Sequence, residues 1–73
     1  MSLSTARIGD AACVAAIAGN DEVRRHLANM GFAVGAVVTV VQRMGGNLIV
    51  KVKDSRVAVN RELAELIRLQ EGV

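Results

Sequence analysis

Seventy-three residues, 52% hydrophobic and 22% charged, are enough for one hydrophobic core and too apolar for a chain that stays disordered. A formal charge of +2 argues against a general polyanion binder, and one Phe with no Tyr, Trp or Pro leaves no stacking platform for single-stranded nucleic acid and no aromatic groove for proline-rich peptides. Cys13 has no mate, so a disulfide framework is excluded and a reducing compartment fits.

Gly9-Asp10 predicts a turn into a first strand, Ala12 to Ala18, with Val14 and Ile17 aimed at the core. Gly19-Asn20 breaks that run. Asn20 is a good N-cap, and Asp21 and Glu22 place negative charge in the first turn of a helix over 21 to 30. Val23, Leu27 and Met30 form the apolar stripe of this helix, Arg24, Arg25 and Ala28 face away, and Gly31 is the natural residue just past its end. After Gly35, Val37 to Val41 is rich in β-branched residues and reads as a buried strand.

Gly45-Gly46-Asn47 predicts a hairpin loop. In the returning strand Leu48, Val50 and Val52 alternate with Ile49, Lys51 and Lys53, so one face meets the core and the other meets water. Asp54-Ser55 predicts a second tight turn, Arg56 to Val59 a third short strand, and Asn60 the cap of a single helical turn holding Leu63 and Ala64. Ile67 and Leu69 form the last strand. The expected architecture is mostly β: one domain over 1–73, a small barrel of about five strands with one early helix and a short helical turn before the final strand.

The apolar run 11–18 ends in Ala16-Ile17-Ala18 and mimics a small-residue cleavage site, but Asp10 abuts it and a chain this small needs those residues for its core. No apolar stretch reaches the ~18 to 20 residues that span a bilayer. The expectation is a cytoplasmic protein with no membrane insertion. Charge is uneven: residues 1 to 35 balance, residues 36 to 61 carry a net +4 from Arg43, Lys51, Lys53, Arg56 and Arg61 against Asp54, and the tail from 62 carries −2 from Glu62, Glu65 and Glu71 against Arg68. Such a patch steers an acidic partner or simply solvates one sheet face.

The segment Val23-Arg24-Arg25-His26-Leu27-Ala28-Asn29-Met30-Gly31-Phe32 with Gly35, followed by the Val-rich strand, Leu48 to Val52, Val57-Ala58-Val59 and Glu62-Leu63-Ala64, resembles the FeoA family over residues 3 to 69. The sequence departs from that pattern at Val34, where a proline usually precedes the glycine, and at Gly45-Gly46, where the loop is shorter than in many members. The resemblance implies an SH3-like barrel and a non-enzymatic accessory protein of ferrous iron uptake that acts with the GTPase-bearing FeoB-type permease. Similar domains close iron-dependent repressors, so a free-standing metal-sensing or regulatory domain is the alternative.

The residues themselves supply little chemistry. A structural transition-metal site takes about four N/S donors, and Cys13 and His26 are the chain's only Cys and His. The carboxylates are scattered among caps and turns, and Cys13 with His26 lacks the orienting group and oxyanion site of a nucleophilic pair. Gly45-Gly46 lacks the Lys-Ser/Thr of a phosphate-cradling loop. No catalytic, cofactor-binding or metal-binding residue is expected, and His26 is expected half-buried at the core margin.

Surface recognition remains. The first candidate is the helix, where Arg24 and Arg25 project and Leu27 and Met30 are expected to show at its edge; arginine beside an apolar anchor favours this surface. On that reading, Leu27→Gln or Arg24→Glu weakens binding while the domain stays folded. The second candidate is the sheet face with Ile49 flanked by Lys51 and Lys53, together with any unpaired edge able to accept a partner strand. A weak homo-oligomer stays open.

Overall fold

The computed structural model describes residues 1–70; residues 71–73, with the Glu71 counted in the acidic tail, lie outside the described residues. A 3-10 turn, Leu3–Thr5, precedes β1 (Ala11–Ile17), α1 (Asp21–Asn29), β2 (Val37–Met44), β3 (Asn47–Val52), β4 (Ser55–Asn60), α2 (Arg61–Leu66) and β5 (Ile67–Leu69). The strands pair antiparallel in the order β4-β3-β2-β1-β5. Register shifts between Val40 and Gln42 on β2 and between Val14 and Ala16 on β1 bend the sheet, as bulges do. The result is an SH3-like barrel.

Local chemistry explains each boundary. The Asn20 side chain accepts the Val23 N–H at 2.8 Å to open α1, and the Asn60 side chain accepts the Leu63 N–H at 2.8 Å to open α2. At the far end of α1 the Gly31 N–H donates to Ala28 C=O and the Phe32 N–H to Leu27 C=O, both at 3.0 Å, with Gly31 at φ +105. This is the Schellman arrangement that stops a helix and satisfies its last carbonyls. Instead of a single turn, α2 runs six residues.

Leu48, Val50 and Val52 of β3 are buried with Val38 and Val40 of β2, Val14, Leu27, Phe32, Val59 and Ile67. β2 alternates rather than running buried throughout: Val38 and Val40 point inward while Val37 is 55% exposed, because only one face of this sheet has a core to cover. The second hairpin turns at Lys53-Asp54, not Asp54-Ser55. Ser55 pairs with Val52 as the first residue of β4, and Lys53 adopts φ +56.

The first residues are part of the fold. Leu3 and Ala6 are fully buried, and the Arg43 guanidinium donates to the carbonyls of Ser4 and Ala6. The Leu69 N–H donates to the Met1 carbonyl at 2.7 Å and Ser2 bridges to Arg68, so the N-terminal segment lines the outer edge of β5. Among the described residues, no helix is long and apolar enough to cross a membrane.

Candidate partner-binding surface

α1 presents a polar stripe because Glu22, Arg25, His26 and Asn29 recur at i, i+3, i+4 and i+7. The four side chains, with Val23 and the α2 residue Leu63, line an open hollow of about 390 Å³. Val23 and Leu63 are half-buried against the core and give the hollow an apolar floor. Glu22, Arg25, His26 and Asn29 are exposed around it. A surface of this kind, with an arginine beside an apolar base, suits a protein contact.

The four residues expected at a partner surface separate. Leu27 is 0% exposed and belongs to the core, so it offers no anchor; the Schellman turn places Phe32 in the same buried cluster and closes the barrel over it. Met30 is half-buried and packs against that cluster. Arg24 is exposed but tethered to Asp21 at 2.5 Å within the helix. Arg25 has no ion pair among the described residues and borders the hollow.

His26 is exposed rather than half-buried, because it stands on the polar stripe next to Arg25 rather than at the edge of the apolar one. Sequence reasoning omitted Glu22, Asn29 and Leu63 from this surface. The helical spacing from Glu22 to Asn29 was a usable signal; the approach of Leu63 depends on where α2 packs and left none.

Metal donors are sparse here. Glu22 and His26, one turn apart, offer two ligands of the about four that a structural transition-metal site takes, and among the described residues no three His, Cys, Asp or Glu side chains gather. Cys13 lies half-buried on β1 opposite Val37.

Known proteins share this fold. The model of the FeoA domain family matches residues 1–71. A crystal structure of an iron uptake regulatory protein, FeoA, is similar at 30% identity and a TM-score of 0.88, covering 94% of this chain and 92% of that one. The zinc complex of Stenotrophomonas maltophilia FeoA, described as a prokaryotic SH3 domain protein and proposed there as a ferrous iron transport activating factor, is 29% identical with a TM-score of 0.83, over 96% of this chain and 89% of that one. A manganese-dependent transcriptional repressor shares the fold at 24% identity and a TM-score of 0.86, over 94% of this chain and 40% of that one. No curated protein matches.

Proposed function

The chain belongs to the FeoA family, and from that premise we propose that it is a non-enzymatic, cytoplasmic accessory protein of ferrous iron uptake that docks on the cytosolic GTPase-bearing region of a FeoB-type permease. The observation that carries this reading is the extent of the match: the family domain takes in residues 1–71, and the 30%-identical FeoA is covered over 92% of its length.

The docking surface in this reading is the α1 hollow, with Arg25, unpaired among the described residues, as its cation and Val23 and Leu63 as its floor. Arg24 sits beside it, partly neutralised by Asp21. Ferrous iron is the cargo of the permease, and the chain acts on the transporter through contact. The regulatory alternative rests on the repressor likeness, which at 24% identity is a likeness of fold.

The test is amide mapping by NMR of the labelled chain titrated with the soluble GTPase region of such a permease. Shifts concentrated on residues 22 to 29 and around Leu63, abolished by Arg25→Glu, support the proposal. Absence of binding to that region in a folded sample overturns it.

A further inference from the structure

The positive stretch 36 to 61 divides once its partners are known. Arg43 is engaged by the Ser4 and Ala6 carbonyls, and Arg61 faces Glu65 at 3.7 Å. Lys51, Lys53 and Arg56 remain, all exposed on the β3–β4 hairpin, with Asp54 in the turn between them and no ion pair among the described residues.

Two unfavourable features meet at these cations. Lys51 and Arg56 stand directly opposite each other in the register, where like charges repel. Lys53 holds φ +56, a conformation that glycine adopts without strain. The two-residue turn demands a positive φ at its first central residue, where glycine or asparagine is the usual choice, so what the hairpin leaves unexplained is the choice of lysine there and of a cation pair across the strands.

The same hairpin carries an open edge. β4 pairs with β3 and, among the described residues, with no other strand. The two-residue turn makes Val52 and Ser55 the closing pair, so alternation aims the main-chain groups of Arg56 and Ala58 away from β3. Side chains alternate as well: Arg56 and Ala58 lie on the solvent face, while Val57 is half-buried and packs against the core cluster. Val37, 55% exposed, lines a shallow hollow with Ala36, Thr39, Lys51 and Lys53.

We propose that the β4 edge, with Lys51, Lys53 and Arg56, accepts an extended acidic segment of a partner protein as an added strand. Main-chain hydrogen bonds to Arg56 and Ala58 supply affinity. Carboxylates at every second position meet the cations on the solvent face, and apolar residues between them cover Val57. An unpaired backbone edge beside the charges favours a peptide over a lipid headgroup, which has no strand to pair. This surface contains none of the residues of the α1 hollow and stands whether or not a permease is the partner there.

The probe is a capped peptide of about seven residues alternating glutamate and valine, a typical strand length, titrated into the labelled chain. The expected result is amide shifts concentrated on 55 to 60, weakening with added salt. Lys51→Gln with Arg56→Gln, in a variant shown to be folded by circular dichroism, should lower affinity at least roughly tenfold, the scale of one lost charge-assisted pair. Arg25→Glu should leave it unchanged.

The same peptide N-methylated at alternate residues keeps its charge and loses its strand-forming donors, and should not bind. Equal binding by the N-methylated peptide, shifts centred away from β4, binding only to anionic phosphatidylglycerol vesicles, or peptide-free broadening of β4 that grows with protein concentration would each overturn the proposal. The last two outcomes identify a membrane or a second copy as the occupant instead.

Discussion

The backbone amide of Phe32 donates to the carbonyl of Leu27 at 3.0 Å, and both side chains are wholly buried in one cluster. Together with the bond from the Gly31 N–H to Ala28 C=O, this bond ends α1, reverses the chain and sets the residue that covers the inner face of the helix. Gly31 makes the reversal sterically accessible at φ +105.

Gly31→Ala should therefore cost more than the positive φ alone. A Cβ there would meet Val52 Cγ1 at 3.1 Å, whereas at Gly35, φ +93, it would meet nothing within 4 Å. The expected losses are about 1 kcal/mol for Gly35→Ala and about 2 kcal/mol or more for Gly31→Ala. Urea denaturation followed by circular dichroism measures both; equal losses would show that Val52 moves aside freely.

Leu27 and Arg25 should separate stability from binding. Leu27→Ala removes a fully buried side chain, for which losses of about 3 to 5 kcal/mol are usual, enough to unfold a domain of modest stability. Leu27→Gln should fare no better. Arg25→Glu, on an exposed residue, should leave the melting curve nearly unchanged and weaken binding to the permease region. A folded Leu27→Gln chain would contradict the burial.

Arg43→Ala should release the N-terminal segment. Its guanidinium is the donor that the Ser4 and Ala6 carbonyls share, and a hydrogen bond to a charged group contributes about 1.5 to 3 kcal/mol, less where water reaches it. Amide exchange at residues 3 to 6 should rise before exchange in β3 does. Arg43→Lys should restore part of the protection, since an ammonium lacks the planar fork of a guanidinium.

Lys53→Gly should raise stability by about 0.5 to 1 kcal/mol, the strain of a non-glycine residue at φ +56 exceeding the added freedom of glycine in the unfolded chain. The same change should weaken the acidic peptide, because it removes one of three cations. Thermal melts and the peptide titration, made on one sample, read both effects.

Asn20→Ala should destabilise by about 1 kcal/mol, because the cap it removes is the acceptor for the Val23 amide. Asn20→Asp should keep the acceptor and most of the stability. Chemical denaturation of the two variants side by side distinguishes a cap from a merely tolerated surface residue.

What the sequence made legible was local. Asn20, Asp21, Glu22 and Gly31 mark both ends of α1 by chemistry that acts within a turn, and the alternation from Leu48 to Val52 states which face of β3 is inward. What it hid was long-range. Arg43 reaches Ser4 across 39 positions of chain, so its removal from the free basic residues could not be read from composition. Leu27 looked like a rim residue because helical periodicity gives the direction of the stripe and not the extent of the cover that Phe32 supplies. Arg25 borders the hollow on a helix whose ends were legible; the turn holding Leu63 was legible from the Asn60 cap, but where it packs against α1 is set by long-range contacts that no spacing announces.

The belt formed by Met1 and Ser2 along β5 makes the two rims of the sheet unequal. Met1 and Ser2 cover one rim and, among the described residues, no strand covers the other, so strand addition, if it starts, has its open place at β4. Two copies meeting rim to rim through β4 would exhaust each other and stop at a pair. Such one-sidedness lets a protein keep an exposed strand for recognition while denying it the head-to-tail growth by which fibrils elongate.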